Sequence, residues 1–523
     1  MTDRPNFLFI ITDQQRADWL GCAGHPVLRT PHIDSIAAEG TRFENFHAAS
    51  PVCMPNRASL MTGRYPSVHG LRYNGCCLPA GSTTFADVLA QAGYHTASIG
   101  KSHLQPFTGI DAEQRVDRDT LGFYQEATLT DRTPFLAEES AHLARGVTQP
   151  DFPVPYYGFN QVDLLTAHGF KSGGHYTQWL LAQDPNGLAL LDPANQLRHN
   201  YSCPQAVRLP IPEGLYTTSY VKERALDYLD TRRDTDQPFF SFVSFNDPHH
   251  PFNPPGHYWD LYNPEDFTVP PDYDELRNPI PPLQRVRAQY LEGVAPKTME
   301  TVFMAPASEI QQAMALTAGL ISMIDDAVGE ILERLKANGL YDNTVIVFTS
   351  DHGDFLGDFS MLLKGAVPYR GITRVPFIWS DPADRAAKVS NALCSTVDIA
   401  PTLIERAGLK PYWGIQGKDI TALVHEPTAS VRDRLLVEYE DGMARFGFDT
   451  PALVRALITP EHRLTLYKEQ PFGELYDLSS DPIEQHNRFD DPSCATLRAE
   501  LMQQLALEMM NNMETSPRAT RRA

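Results

Sequence analysis

The chain has 523 residues, 42% hydrophobic and 21% charged, enough for one large globular α/β unit with a smaller one beside it. Its 65 acidic against 44 basic residues leave a formal net charge of -21, so there is no basic excess to displace counterions from nucleic acid. An anionic ligand must be drawn in by a local concentration of Lys, Arg, His or metal, because the global field repels it. No segment is long and apolar enough to span a bilayer, and the apolar run at 7–11 is too short for a secretory leader. The seven cysteines (Cys22, Cys53, Cys76, Cys77, Cys203, Cys394 and Cys494) are odd in number and form no CxxC pair. That pattern fits reduced thiols in a cytoplasm, with Cys76 and Cys77 as adjacent buried thiols.

In chain order, short runs rich in β-branched and aromatic residues at 6–12, 94–99, 238–245, 344–349 and 375–379 predict strands buried on both faces. Helix-periodic stretches at 33–39, 84–91, 219–229 and 309–335 lie between them; in the last, Leu316, Leu320, Ile324, Ala327, Ile331 and Leu335 share one face. Such alternation predicts an α/β fold, a mainly parallel central sheet flanked by helices. Residues 105–215 and 250–300 are rich in Pro, Tyr and Gly with little periodicity, as expected of long insertions over the sheet. Tyr156, Tyr157, Tyr176 and Trp179 within them suit either a pocket for an apolar leaving group or the insertion's own core. After a first unit spanning 1–430, strand-like runs at 435–438, 454–458 and 463–467 and an amphipathic helix at 494–509 predict a smaller α+β C-terminal domain over 431–523. Its basic, polar end at 516–523 is expected to fray.

Polar residues stand where the strands end. The first runs into Asp13-Gln14, the second into Lys101 and His103, the third into Asp247-Pro248-His249-His250, the fourth into Asp351-His352. Ligands of open α/β sheets bind outside the carboxyl ends of the strands, so four such endings point to one shared site.

The segment Cys53-Met54-Pro55-Asn56-Arg57-Ala58-Ser59-Leu60-Met61-Thr62-Gly63-Arg64 carries the chemistry. Pro55 suits the first turn of a helix, which puts Cys53 at a helix N-terminus, where partial positive charge favours an oxyanion or an anionic ester. Cys-x-Pro-x-Arg followed by this run resembles the sulfatase family of the alkaline-phosphatase superfamily. The resemblance extends through Thr30-Pro31-His32-Ile33-Asp34, Gly40-Thr41-Arg42-Phe43, Gly100-Lys101-Ser102-His103-Leu104, Pro248-His249-His250-Pro251, Ser350-Asp351-His352-Gly353-Asp354 and Glu474-Leu475-Tyr476-Asp477-Leu478.

The resemblance implies that a separate generating enzyme converts Cys53 to formylglycine (3-oxoalanine), and that Asp13, Gln14, Asp351 and His352 hold one divalent metal ion. Many members carry Asp-Asp and Asp-Asn there; Gln14 and His352 instead resemble the branch that includes phosphonate monoester hydrolases and choline sulfatases. An imidazole and only two carboxylates shift the expected ion from calcium towards manganese or another transition metal. The same resemblance implies the remaining roles. Arg57 and Lys101 fix and polarise the formylglycine hydroxyls, and His103 hydrogen-bonds one of them. His249 and Lys364 contact the substrate oxyanion and leaving group, Asn74 contacts substrate, and His250 is a pocket wall. The implied reaction is promiscuous, arylsulfatase-like hydrolysis of sulfate monoesters through a covalent sulfo-enzyme hemiacetal. His103 takes the proton of the second hydroxyl as that hemiacetal expels sulfate. The alternative is a phosphonate monoester or phosphodiester hydrolase on the same site: Lys101 and His103 favour sulfate, whereas Gln14, Asp351 and His352 favour the alternative. A non-catalytic anion-binding relative would lack Cys53 or a ligand, and none is missing. The insertions and C-terminal extension of this branch imply a homo-oligomer.

Overall fold

The seven residues of the strand Asn6–Thr12 are all buried. Phe7, Phe9 and Ile11 point into one apolar cluster, Leu8 and Ile10 into another. A strand apolar on both faces has to be covered on both, and this requirement organises the molecule. The structure, a computed structural model, describes residues 4–110, 136–146, 148, 151–295, 297 and 302–521.

Nine strands form the main sheet in the order Lys388–Ser390, Thr41–Phe43, Phe377–Ser380, Thr344–Ser350, Asn6–Thr12, Phe239–Ser244, His95–Lys101, Gln161–Thr166 and Gly173–Gly174. Among them only Phe377–Ser380 and Gly173–Gly174 run against the rest. The long helix Ala307–Ala337 covers one face through Leu320, Ile324, Val328, Ile331 and Leu335, with Thr217–Arg232 alongside. Cys53–Thr62, Phe85–Gln91 and Ile399–Arg406 cover the other. Thr84 starts Phe85–Gln91 with a capping box, its hydroxyl accepting from the Asp87 backbone N–H while the Asp87 carboxylate accepts from the Thr84 N–H. At Gly100 (φ 101°) a Cβ would lie 1.9 Å from the Ser244 carbonyl oxygen, so the strands bearing Lys101 and Ser244 approach as closely as they do only because glycine is there.

Two features differ from the expectations, and a third settles an alternative left open. Gln161–Thr166 is a strand of the main sheet, parallel to His95–Lys101, although it lies in a stretch with the composition of inserted loop. Its Leu164 and Leu165 enter the two opposite apolar clusters, the same two-sided burial as in Asn6–Thr12. The aromatic residues of that stretch form core: Tyr156 donates to Glu138, Tyr157 to the Leu78 carbonyl, Tyr176 to the Leu215 carbonyl and Trp179 to Glu223. The final segment is docked at least as far as Arg518, for the Trp413 indole donates to the Thr515 carbonyl and the Arg518 guanidinium sits 3.9 Å over its ring, while residues 522 and 523 lie outside the described residues.

The strands Leu435–Glu440, Leu453–Ile458, His462–Tyr467 and Gly473–Asp477 form an antiparallel meander. One face packs Leu436, Leu457, Leu464 and Leu475 against Leu501 and Leu505 of the helix Ala495–Asn511. The other joins Val437, Tyr439, Val454 and Ala456 to Val52, Phe355 and Tyr369, so the smaller domain braces the segments on either side of the site. Cys76 and Cys77 are half-buried, and none of the seven cysteines is in a disulfide. Among the described residues no helix is long and apolar enough to cross a membrane.

Candidate active site

Cys53 is the first residue of a helix that runs to Thr62, with Val52 extended before it and all ten helical residues buried. Asn56 locks this turn: its Oδ1 accepts from the Ala49 N–H (3.0 Å) and the Thr396 hydroxyl (2.6 Å), and its Nδ2 donates to the Asp351 carbonyl. Arg57 then ties four strand ends together. Its Nε donates to Asp351 Oδ2 (2.8 Å), its Nη1 to the Lys101 carbonyl and to Ser244 Oγ (both 2.9 Å), and its Nη2 to Asp13 Oδ2 (3.5 Å). The Cys53 sulfur lies 3.1 Å from His352 Nε2 and 3.8 Å from Asp13 Oδ1. Burial, with Asp13 adding to it, pushes the thiol up to about 12, so an unmodified Cys53 is held as a thiol and is a poor nucleophile.

Asp13, Cys53, Asp351 and His352 each bring one ligand atom into a group whose atoms all lie within 4.8 Å of one another. This donor set fits a divalent cation on two counts. The His352 Nδ1–H donates to the Gly353 carbonyl at 2.9 Å, which leaves the Nε2 lone pair facing the carboxylates. Both carboxylates are fully buried, and their surroundings favour the charged form of each. Burial pushes the Asp13 carboxyl up, but Lys101, His249 and His168 together outweigh it and hold it well below the carboxylate range. Burial and Asp13 raise Asp351, yet His352, Arg57 and Lys101 leave it lowered. Gln14 sits at the same strand end in a left-handed conformation (φ 67°), but its amide is committed elsewhere. Oε1 accepts from Lys364 Nζ at 2.6 Å, and Nε2 faces His250 Nδ1 at 3.1 Å and Asp354.

Two lysines and a row of imidazoles close the site. Lys364 Nζ is 2.8 Å from His249 Nε2, while His249 Nδ1 donates to the His250 carbonyl. The proton of this pair therefore rests on Lys364, and burial together with His168, His250 and Lys364 holds the His249 imidazole neutral. Lys101 Nζ donates to Asp13. His103 (φ 60°) is buried, with its backbone N–H on Glu138 and, among the described residues, no partner for its Nδ1. Burial, then Lys101 and His168, lower its affinity for a proton. Asn74 is exposed and accepts at Oδ1 from the Met54 N–H (3.2 Å), within the first turn of the Cys53 helix. The other residues expected at the site thus fall around Cys53 or one hydrogen bond from a residue that does, except His103, whose link to them is electrostatic, through Lys101, His168 and Arg57.

His168, which lies 2.7 Å from Lys101 Nζ, was not among the residues expected from the sequence. The available signal was Leu164-Leu165-Thr166 ending in Ala167-His168, a strand followed by a polar residue as in the other four cases. Asn56, Ser244 and Asp354 were also missed; they position site residues through hydrogen bonds that no spacing rule reveals.

A sheet whose strands end in a buried two-carboxylate, one-imidazole centre beside a helix N-terminus defines an esterase of charged, tetrahedral centres. Comparison with known proteins narrows the class. The sulfatase profile matches residues 5–409, and that of the N-sulphoglucosamine sulphohydrolase C-terminal region matches 364–511. An arylsulfatase of Clostridium perfringens is 28% identical over 92% of this chain and 90% of its own length. An uncharacterized sulfatase, YidJ, of Escherichia coli is 30% identical over 95% and 86%. The crystal structure of a phosphonate monoester hydrolase from Agrobacterium radiobacter shares the fold, with a TM-score of 0.77 at 23% identity over 98% of this chain and 97% of that one. The chain belongs to the sulfatase family of the alkaline-phosphatase superfamily and is a sulfuric ester hydrolase.

Proposed function

We propose that this enzyme hydrolyses sulfate monoesters, aryl sulfates among them, with Cys53 converted to formylglycine by a generating enzyme. The observation that carries this reading is the position of Cys53: a helix N-terminus aims at it, His352 and Asp13 lie within 3.8 Å of its sulfur, and Arg57 fixes both flanking carboxylates. Asp13, Asp351 and His352, with Gln14 where its amide turns from Lys364, would hold one divalent ion, manganese before calcium on the imidazole's account. When bound, the ion supplies Lewis acidity and lowers the pKa of a hydroxyl, and the aldehyde hydrate supplies two hydroxyls on one carbon.

The chain's own residues do the rest. Arg57 and Lys101 hold the nucleophilic end in place. Lys364 and His249 face the leaving side, and the proton on Lys364 is the one available to the departing alcohol, while His249 Nε2 accepts from Lys364 and holds its ammonium in place. His103, buried with an Nδ1 that has no partner among the described residues, serves as the base for release of sulfate. Asn74 is the substrate contact at the exposed rim. Folding as a 1–430 catalytic unit with a 431–523 domain, a cytoplasmic location and homo-oligomer formation belong to the same proposal. Seven unpaired cysteines support the location, and Met502, Leu507, Met509 and Met510, exposed on the last helix, support the oligomer.

Gln14 and His352 in the ligand set favour a second reading, hydrolysis of phosphonate monoesters or phosphodiesters, whose tetrahedral centres also carry one negative charge. Two measurements test the assignment. In the peptide containing Cys53, conversion of thiol to aldehyde lowers the mass by about 18 Da. Parallel kcat/KM values on aryl sulfates and aryl phosphonates rank the two activities. A Cys53→Ala variant with full turnover would overturn the role of Cys53, and a higher kcat/KM on phosphonates would make the second reading the main activity.

A further inference from the structure

His168 has no part in the reaction as proposed, yet it sits at the centre of the site. It follows the strand Gln161–Thr166, and its Nε2 lies 2.7 Å from Lys101 Nζ and 3.5 Å from Asp13 Oδ2. Its ring stacks on that of His249 at 3.5 Å and 9°, and His249 in turn stacks on His250 at 3.9 Å and 27°. Three imidazoles thus form a continuous column between Lys101 at one end and Gln14 at the other.

An ammonium only donates, so in the pair with Lys101 the His168 Nε2 accepts, and the ring's proton is on Nδ1. Lys101 is fully buried and has three N–H bonds in a tetrahedral array. One anchor, Asp13, would leave the other two free to swing about the Nζ–Asp13 axis. A second anchor at His168 removes that freedom, and the third N–H then points in a single direction. Because the His168 Nε2 lone pair is taken by Lys101, the cluster Asp13, His168 and His249, compact as it is, does not offer a second metal site.

We infer that His168 is a positioning residue for sulfate-ester hydrolysis: its Nε2 aims the Lys101 ammonium at the reacting group on residue 53. The inference rests on the sulfatase reading of the site. The acceptor and the ring are separable by two substitutions. His168→Phe keeps a flat ring for the His249 stack and deletes the acceptor. His168→Gln keeps an acceptor at similar reach and deletes the ring.

With aryl sulfates as substrates, His168→Phe should lower kcat roughly 10- to 100-fold, the range set by losing one hydrogen bond to a buried charged group, with KM within about threefold. His168→Gln should regain at least about tenfold of that loss. The loss should be equal for good and poor leaving groups, since Lys101 serves the nucleophile's side. Thermal unfolding of each variant distinguishes mispositioning from misfolding. Should His168→Phe not fold, His168→Ala assayed with and without added imidazole takes its place: recovery of kcat supports the inference, and no recovery overturns it. Wild-type kcat in His168→Phe, or equal losses in the Phe and Gln variants, would also overturn it while leaving the sulfatase reading intact. Absence of sulfate-ester turnover in the wild type would instead overturn that reading, and this inference with it.

Discussion

Replacing Lys364 with Ala separates proton donation from nucleophile activation. Lys364 is 6% exposed, and its ammonium is shared between Gln14 Oε1 (2.6 Å) and His249 Nε2 (2.8 Å). The substitution removes the site's nearest mobile proton on the leaving side, and a positioned general acid is worth about 10²–10⁴ in rate. That factor should appear in full for alkyl sulfates, whose alcohols leave badly as anions. For nitrophenyl sulfates, whose phenols need little help, the loss should shrink to roughly tenfold, the share owed to the lost charge. The assay is log kcat/KM against leaving-group pKa for wild type, Lys364→Ala and His249→Ala. The Lys364→Ala line should be the steepest. His249→Ala should change the slope less, because its Nε2 accepts at rest and its Nδ1–H is held by the His250 carbonyl. A Lys364→Ala line parallel to that of wild type would refute the assignment, and a steeper line for His249→Ala alone would transfer the role to His249.

Asp351→Asn should harm every ester by a large and similar factor, since the defect lies in nucleophile activation whichever group leaves; a strong leaving-group dependence would contradict this. Exhaustive chelation should abolish turnover, with one divalent ion per chain restoring it, and elemental analysis finding no divalent ion in active enzyme would exclude the proposed centre. Arg463 is fully buried between Glu474 (3.1 Å) and Glu484 (2.6 Å), so Arg463→Met strands two carboxylates and should cost about 3–5 kcal/mol in urea unfolding. The folded fraction should turn over normally, and a stability loss below about 1 kcal/mol would show that the pair is solvated. Gly100→Ala should lower the melting temperature and activity together, because its Cβ would collide with the Ser244 carbonyl between the strands that carry Lys101 and Ser244; wild-type behaviour in both would refute the close approach.

The sequence determined the elements whose signal is local. Runs such as Phe7–Ile11 are apolar at every position, which marks a strand buried on two faces. The Leu316-to-Leu335 periodicity marks one buried face of a long helix, and both were found where expected. The polar strand endings Asp13, Lys101, Asp247 and Asp351 were legible for the same reason: a carboxylate or ammonium directly after a buried strand stands at the sheet's edge. Tertiary structure decided what local pattern does not encode. The strand Gln161–Thr166 is short and carries Asp163, so only its pairing with His95–Lys101 reveals it, and His168 comes into the site with it. The antiparallel direction of Phe377–Ser380 depends on a partner far along the chain, Thr344–Ser350 on one side and Thr41–Phe43 on the other. Which of His249 and Lys364 holds the proton depends on the carbonyl of His250, and whether Tyr156 and Tyr176 line a pocket or fill a core depends on what accepts their hydroxyl protons. Residue type sets what a side chain is able to donate or accept; only the fold supplies the partner.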